Sequence, residues 1–465
     1  MSVNIRCPYC FEWTKDDEVC FRAETFFRNE DDVLDFLKKQ GLGDFEEFSE
    51  IASAGGEAAA QAELCKMFMA GSSPEYERFW NKYSGQTTEC KEIGAKIEPW
   101  LRPVKTCSDK KAFPELVRDS DGFVKEAVDV FGRTTQRRVC PHCHNPFPAN
   151  YGKYNIKYIS VIGIKGAGKT VYISQLLKEI HSYFASFGYV LETDRIVVQS
   201  YLAENRVESG YELPRGTGTD VFVQPMAFTM LYKDNSNKLN RQTFVLYDIA
   251  GELFDKSATS AALLNRFDFI QNSDGIIMLI DPKQVGLTIG GGEDVANITS
   301  ALDVINGLFN NGGNEQIQIP LAMCISKGDM AYGIALGKDG GVADTLPSTQ
   351  IMKKQFNASD YNEVIQAPLD HYFQKFETLN LTLETLYKHF NYFIFSSLGH
   401  GGIDNDNKLT DVTTTLRIEE PLFWMLHKLG FVEANVPVAP PSCTVKPEEK
   451  PKTFFERLKQ KFKKK

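Results

Sequence analysis

The sequence lacks a long hydrophobic run. Its 465 residues contain no stretch of about 18 apolar residues, so no membrane-spanning helix is expected. The first ten residues, MSVNIRCPYC, contain no apolar core of the kind that a secretory signal requires. The formal net charge is -9, which argues against nucleic-acid binding through bulk electrostatics. These absences predict a cytoplasmic protein whose ten cysteines are thiols or metal ligands rather than disulfides.

The pattern along the chain divides it into regions, and its length is enough for two or three domains. Residues 1–20 and 140–155 each contain a Cys-Pro-x-Cys unit. The residues between them, 21–139, are polar and mostly helical in pattern. Residues 156–430 alternate apolar strands with helices, which is typical of an α/β fold with a largely parallel sheet.

The most informative stretch is YISVIGIKGAGKTVYISQLLKEI at 158–180. It matches G-x-x-x-x-G-K-[ST] in full, between a β-rich apolar run and a segment of helical periodicity. Backbone N–H groups at such a turn surround a β-phosphate at a helix N-terminus. Lys169 would then reach the β- and γ-phosphates, and the Thr170 hydroxyl would bind Mg²⁺, so the stretch predicts nucleoside triphosphate binding. The glycines of the turn are Gly163, Gly166 and Gly168.

A second motif lies in RQTFVLYDIAGELF at 241–254. Asp248 ends the apolar strand TFVLY, and an aspartate at a strand tip beside the phosphate loop can hold Mg²⁺, usually through water. Asp248 and Gly251 also fit D-x-x-G, in which the glycine amide contacts the γ-phosphate and loses that contact after hydrolysis. An ordinary turn aspartate is the plainer interpretation of Asp248 when it is taken alone.

Two further elements follow predicted strands. Ser326-Lys-Gly-Asp329 comes after IPLAMCI, and the strand YFIFSSLG ends in SSL at 396–398. In this order, at strand ends where α/β sheets bind nucleotides, the four elements resemble those of the Ras-like P-loop GTPases. The resemblance implies that Asp329 accepts hydrogen bonds from guanine, that Lys327 packs along the ring, and that backbone near Ser397 touches the base. Ser326 stands where the family usually has Asn or Thr, and GTP is favoured over ATP.

The same resemblance implies a Ras-like α/β fold over 156–430, with a mainly parallel sheet and flanking helices. A switch I threonine that caps Mg²⁺ is expected in LPRGTGTD, where the sequence does not choose between Thr217 and Thr219. The residue after D-x-x-G, often a water-orienting Gln in that family, is Glu252. Glu252 and Lys169 are the expected catalytic residues. Since γ-phosphate charge repels a carboxylate, we expect slow intrinsic hydrolysis or dependence on a partner.

The two Cys-Pro-x-Cys units together offer four thiolates for a tetrahedral Zn²⁺ site. One unit alone would also suit redox chemistry, and four unrelated buried cysteines are the alternative to a metal. The separation of the units far exceeds ordinary zinc-ribbon spacing, so 21–139 would be a helical insertion between the halves of one ribbon. His142 and His144 are spare candidate ligands. The four cysteines are Cys7, Cys10, Cys140 and Cys143.

A split Cys-Pro-x-Cys pair immediately before such a domain looks like the layout of the zinc-ribbon-bearing double-GTPase proteins of bacterial conflict systems. That resemblance implies a regulatory GTPase that works beside a partner GTPase and effector proteins. Two other functions stay open on the sequence alone. One is an ATPase with the same phosphate loop, and the other is a zinc-containing scaffold that binds nucleotide without hydrolysing it.

The end of the chain has a pattern of its own. Residues 431–451 are rich in proline and predict an extended linker. In 452–465, six Lys and one Arg stand against Glu456, and the phenylalanines and Leu458 share one helical face. A basic amphipathic helix of this kind can lie on anionic lipid at the inner face of the membrane. A solvated basic tail is the alternative.

Overall fold

The structure is a computed structural model that describes most of the chain. Both candidate switch I threonines, most of 21–139 and the whole basic tail lie outside the described residues, so the predictions made for them stay predictions. The described residues are 2–22, 73–83, 103–104, 115–128, 134–164, 166–214, 223–233, 237–254, 267–288, 295–310, 315–336, 345–399 and 402–435.

In the described residues before position 156, eight short strands precede the central sheet. β1 pairs antiparallel with β2, β3 pairs with β4 and β8, and β6 pairs with β5 and β7. The described part of 21–139 also contains helix α1 (Pro74–Tyr83). The strands are β1 (Asn4–Arg6), β2 (Trp13–Lys15), β3 (Cys20–Arg22), β4 (Pro103–Val104), β5 (Glu115–Arg118), β6 (Val124–Val128), β7 (Thr134–Thr135) and β8 (Arg138–Val139).

Seven strands then form the central sheet, and the mainly parallel α/β fold expected from the sequence is confirmed. The strands are β9 (Ile156–Gly163), β10 (Val190–Thr193), β11 (Met226–Lys233), β12 (Leu239–Asp248), β13 (Gly275–Ile280), β14 (Leu321–Ile325) and β16 (Phe390–Ile394). Their spatial order is β10-β11-β12-β9-β13-β14-β16. In this spatial order the last five strands, β12-β9-β13-β14-β16, are parallel to one another. β11 pairs antiparallel with both β10 and β12.

Helices connect these strands, and no helix in the described part of the chain is both long and apolar enough to cross a membrane. Short helical turns occur at Gly251–Phe254, Pro282–Gln284 and Asn362–Gln366. Two further short strands, β15 (Gln355–Phe356) and β17 (Glu433–Ala434), pair with each other. The helices are α2 (Lys169–Ser186), α3 (Arg195–Glu204), α4 (Ala296–Asn310), α5 (Gly328–Ala335), α6 (Ala358–Tyr361), α7 (Ala367–Phe373), α8 (Glu377–Leu386) and α9 (Glu420–Lys428).

The sheet is covered on both faces. Successive side chains of β12 point to opposite sides of the sheet, and side chains on each side pack against other elements. On one side Phe244 stacks on Phe184 of α2, with ring centroids 5.7 Å apart. On the other side Tyr247 contacts Phe11, which lies in the first Cys-Pro-x-Cys loop. Strands covered on both faces read as continuous apolar runs, and the GIIMLI of β13 is buried throughout.

A buried charge cluster joins α6 to the start of α9. The Arg417 side chain has no exposed surface and donates to Asp360 at 2.6 Å and to Glu420 at 2.5 Å. Two acidic side chains therefore share one guanidinium away from water. Burial raises the pKa of Glu420 from 4.5 to about 8, although Arg417 opposes this shift. Glu420 is then protonated in the folded protein at pH values where the unfolded chain ionises it.

We therefore expect folding stability to fall as the pH rises. A carboxyl group whose pKa is higher in the folded state contributes stability that is complete below its unfolded value and is lost as the pH rises through its folded value. For Glu420 this interval runs from 4.5 to about 8. Glu420→Gln should flatten the decline, measured as urea unfolding midpoints between about pH 5 and about pH 9. The exposed Glu363→Gln is the control, and an unchanged decline in Glu420→Gln would contradict the prediction.

Candidate nucleotide site and cysteine cluster

The phosphate loop runs from the end of β9 to the start of α2. Gly166 at φ 84° and Gly168 at φ 69° occupy the left-handed region that favours glycine. Gly168 is the residue that caps α2, so the first amide groups of the helix point into the loop. Lys169 and Thr170 follow directly and are buried. The predicted loop therefore has a backbone form in which N–H groups can surround an anion.

Asp248 lies at the end of β12 beside this loop. One of its carboxylate oxygens forms an ion pair with Lys169 Nζ, and the other accepts a hydrogen bond from Tyr201 Oη at 2.8 Å. The register places Asp248 next to Val161 of β9. The predicted Mg²⁺ aspartate and the predicted phosphate-binding lysine are therefore in direct contact.

Gly251 lies so close to the phosphate loop that no side chain fits. A β-carbon built on Gly251 would overlap the carbonyl oxygen of Gly163. This contact gives a physical reason for the glycine in D-x-x-G, because any larger residue would push the two loops apart. The next residue, Glu252, is in the helical turn Gly251–Phe254, but its side chain lies outside the described part of the structure. Its part in hydrolysis stays a prediction.

The loop that holds the Ser-Lys-Gly-Asp sequence contacts the phosphate loop through Lys327. The Lys327 ammonium donates to Asp281 at 2.8 Å and to the Gly166 carbonyl at 3.4 Å. The backbone N–H and the hydroxyl of Ser326 both donate to the Ile280 carbonyl, at 3.1 and 3.2 Å. The Ser326 side chain therefore ties this loop to the end of β13.

Asp329 is held by the loop that follows β16. Ser396 Oγ donates to Asp329 Oδ1 at 2.5 Å and accepts the Gly399 N–H at 2.8 Å. The Gly328 N–H donates to the Phe395 carbonyl at 2.7 Å. Two segments more than 60 residues apart in sequence are thus fastened at the predicted guanine position.

The backbone of Ser397 is fixed from α2. Gln175 Nε2 donates to the Ser397 carbonyl at 3.1 Å and to Thr413 Oγ1 at 2.6 Å. Gln175 is buried and lies in the helix that starts at the phosphate loop. One helix therefore carries both the phosphate-binding lysine and a support for the predicted base-binding loop.

Several residues of this site were missed in the sequence. Asp281 follows the buried strand β13 directly, so the rule that singled out Asp248 at a strand end would also have found it. Ser396 belongs to the predicted SSL element, but its hydrogen bond to Asp329 was not predicted. Tyr201 and Gln175 lie within helices and match no motif, so no local signal pointed to them.

Comparison with known proteins identifies the domain that carries these loops. The family model described as Double-GTPase 2 matches residues 157–371, which include the phosphate loop, D-x-x-G and the Ser-Lys-Gly-Asp sequence. Residues 157–371, the double-GTPase domain, are similar in sequence to this family. The resemblance inferred from the motifs is thereby confirmed, and the domain is a nucleotide-binding P-loop GTPase fold.

Individual relatives of the double-GTPase domain are distant. The candidate ESX-1 scaffolding and assembly protein SaeC of Mycolicibacterium smegmatis is 24% identical over 155 residues, which are 32% of this chain and 38% of SaeC. The chain thus spans well under two thirds of that relative. A Sulfolobus solfataricus GTP-binding protein in complex with GDP is 12% identical, with 59% and 53% of the two chains covered and a TM-score of 0.26. The Saccharomyces cerevisiae Ski7 GTPase-like domain, bound to GTP, is 13% identical. The match covers 60% of this chain and 51% of that one, with a TM-score of 0.29.

The four predicted cysteines come together beside the double-GTPase domain. Their sulfur atoms all lie within 4.8 Å of one another. The Sγ atoms of Cys7 and Cys143 lie 3.7 Å apart, and so do those of Cys10 and Cys140. Four sulfurs bound to Zn²⁺ at about 2.3 Å and at tetrahedral angles would lie about 3.8 Å apart, so the cluster fits this ion. Such a closed four-thiolate site is structural, because it leaves no position for substrate.

The two loops of the cluster share one backbone form. The residue after the second cysteine is left-handed in each, with Phe11 at φ 61° and His144 at φ 57°. Its N–H donates to the carbonyl of the first cysteine, at 3.1 and 2.9 Å. The N–H of the residue before the second cysteine donates to the sulfur of the first at 3.4 Å in both loops. Repeated N–H to sulfur bonds suit thiolates that share one ion.

The two histidines near the cluster contact other groups. His144 is buried and packs on the ring of Tyr76, with centroids 4.6 Å apart. His142 Nε2 lies 3.3 Å from the carbonyl oxygen of Trp13. Among the described residues, the group that can hold a metal is the four cysteines without a histidine.

The first cysteine loop is attached to the double-GTPase domain near its nucleotide site. Tyr247, the residue before Asp248, donates its hydroxyl to the Pro8 carbonyl at 2.8 Å. Gln224 donates to the hydroxyl of Tyr9 at 3.0 Å. Phe11 makes edge contacts with the rings of Tyr158, Tyr247 and Phe269. The cysteine loop and the strand that carries Asp248 therefore pack as one unit.

Replacing one cysteine should remove the metal. We expect about one zinc per chain in the purified protein and well under half of that in Cys140→Ser, because three thiolates hold Zn²⁺ less tightly than four. The variant should also unfold at a lower temperature. Cys20→Ser, a buried cysteine outside the cluster, is the control. Elemental analysis and thermal unfolding measure both effects, and an unchanged zinc content in Cys140→Ser would contradict the assignment.

Proposed function

We propose that the chain binds GTP with Mg²⁺ and acts as a regulatory switch. The observation that carries this proposal is the guanine-type loop, in which Ser396 holds Asp329 and Lys327 reaches the phosphate loop. A carboxylate that is fixed through one oxygen keeps the other for the N–H groups of guanine, whereas adenine offers no such pair of donors. An ATP-binding site would not need a carboxylate held in this way.

In this proposal each loop supplies one part of GTP binding. Backbone amides of the phosphate loop and Lys169 bind the β- and γ-phosphates, so Lys169 exchanges the Asp248 carboxylate for phosphate oxygens. Thr170 and Asp248 hold Mg²⁺, which neutralises phosphate charge when bound, and Thr217 or Thr219 completes its coordination. The Gly251 amide contacts the γ-phosphate, so hydrolysis releases this loop.

Hydrolysis in this proposal is slow without a partner. In the sequence, Glu252 follows D-x-x-G, where the Ras-like enzymes often have the Gln that orients the attacking water. Its carboxylate would be repelled by the γ-phosphate, so a group from a second protein is needed to stabilise the transition state. The partner is a second GTPase or an effector, which fits regulation of a bacterial defence-type system by a double-GTPase protein.

A second candidate function is a nucleotide-bound scaffold. It is favoured by the cysteine cluster, whose first loop is hydrogen-bonded to the strand that carries Asp248. The similarity to a candidate scaffolding and assembly protein of a secretion system also favours it. In this role GTP would stabilise the fold, and turnover would have no function. Measured turnover separates the two candidates.

Base recognition is the first measurement. With fluorescent analogues and Mg²⁺, we expect GTP to bind at least about 100-fold more tightly than ATP, since a site built for specific donors rejects a ligand that lacks them. Asp329→Asn should lose guanine binding and gain xanthine binding, because the amide donates where the carboxylate accepted. The exposed Asp303→Asn is the control. Equal binding of ATP and GTP, with Asp329→Asn unchanged, would favour an ATPase and refute the proposal.

Single-turnover hydrolysis tests the second part of the proposal. We expect the isolated protein to hydrolyse bound GTP at a rate near or below that of an unassisted switch GTPase, on the order of 10⁻³ per second. Glu252→Gln should leave this rate equal or raise it, because the repulsion is removed. A rate above about 1 per second in the wild type would show that no partner is needed.

A further inference from the structure

Tyr201 contacts Asp248 of the candidate nucleotide site, although it belongs to none of the sequence motifs. It lies in the last turn of α3, a helix that leads toward the predicted switch I region. Its hydroxyl donates to Asp248 Oδ2 at 2.8 Å, while Lys169 pairs with Oδ1. The two oxygens of the predicted Mg²⁺ aspartate therefore have different protein partners.

Helix α3 fixes the position of the Tyr201 side chain. Asp194 caps the start of the helix, and its carboxylate accepts the N–H groups of Ile196 and Val197 at 3.1 and 3.3 Å. Asn205 caps the end of the helix, and its backbone N–H and side-chain amide both donate to the Tyr201 carbonyl, at 3.0 and 3.1 Å. Both ends of a short helix are thus capped, and a capped helix holds its side chains better than a loop does.

The chemistry of a phenol suits a partner of a metal-binding carboxylate. The Tyr201 hydroxyl is an uncharged hydrogen-bond donor at physiological pH, as an ordinary phenol is. A neutral donor fixes the plane of the carboxylate without competing as a cation for its charge. When Lys169 moves to phosphate oxygens, Oδ1 is released while Tyr201 keeps Oδ2 in place.

We propose that Tyr201 is a positioning residue for the Mg²⁺ of the nucleotide, which it orients by holding Asp248 through a hydrogen bond. This inference rests on the proposed GTP-binding function. Tyr201 acts through Asp248 and touches neither the phosphates nor the metal. Partners of this kind commonly change metal affinity about 10- to 100-fold when they are removed.

The test compares Mg²⁺ dependence in Tyr201→Phe and in the wild type. The full chain is loaded with a fluorescent GTP analogue, and its dissociation rate is measured in EDTA and over a Mg²⁺ titration. We expect Tyr201→Phe to need about 10-fold or more Mg²⁺ for half-maximal retention, with an unchanged dissociation rate in EDTA. Tyr183→Phe is the matched control, because its hydroxyl also lies 2.8 Å from one partner, Thr415, toward the other end of α2.

The outcomes separate this inference from the function on which it rests. A Mg²⁺ requirement in Tyr201→Phe within about twofold of the wild type would overturn the positioning role while leaving GTP binding intact. Faster dissociation by the same factor with and without Mg²⁺ would also overturn it, because that result indicates a general structural effect. If the wild type retains no guanine nucleotide at any Mg²⁺ concentration, the proposed function fails, and the inference fails with it.

Discussion

The place of β9 between β12 and β13 is the constraint on which the rest of the nucleotide site depends. Parallel neighbours lie about 4.8 Å apart, so the carboxyl ends of these three strands lie within about 10 Å of one another. The register sets Asp248 beside Val161, and Leu279 beside Gly163. Once this order is fixed, the phosphate loop, the D-x-x-G loop and Asp281 have no other place to lie.

The same order limits which residues the loops can contain. Gly251 lies against the Gly163 carbonyl, and a β-carbon there would need the strands to separate. Gly328 is similarly confined by Ile394 and by the Phe395 carbonyl. Both glycines therefore serve the close approach of neighbouring loops. These contacts bring the D-x-x-G loop directly against the phosphate loop, and the Ser-Lys-Gly-Asp loop against the loop after β16.

Much of the domain could be predicted because its signals are local. The phosphate loop, Asp248 and Asp329 each follow an apolar strand at the position where a parallel sheet binds its ligand. The supports of these residues could not be predicted in the same way. Tyr201 reaches Asp248 across 47 residues, and Gln175 reaches Ser397 across 222, so neither contact leaves a pattern in a short window. Asp281 is the exception, since its strand-end signal was present.

The cysteine cluster combines a feature that the sequence predicted with contacts that it could not predict. Two near-identical units predicted a shared site, and their sulfur atoms do meet. The packing of the cysteine loops on the sheet left no such signal in the sequence. Phe11 and Phe269, for example, are far apart in the chain and come into contact only in the folded protein. The Pro8 carbonyl accepts a hydrogen bond from Tyr247, so the first cysteine loop is linked to the residue next to Asp248. Pairwise motifs can be recognised in a sequence, whereas contacts between domains depend on shape.

The split of the cluster also governs when it can form during synthesis. Cys7 and Cys143 are 136 residues apart, and β3 at one end of the intervening segment pairs with β8 at the other. Ribosomes add about 5–20 residues per second, so the first pair of thiols waits on the order of 7–30 seconds before the second pair is made. The four sulfur atoms can therefore meet only after the residues between the two cysteine pairs have been made.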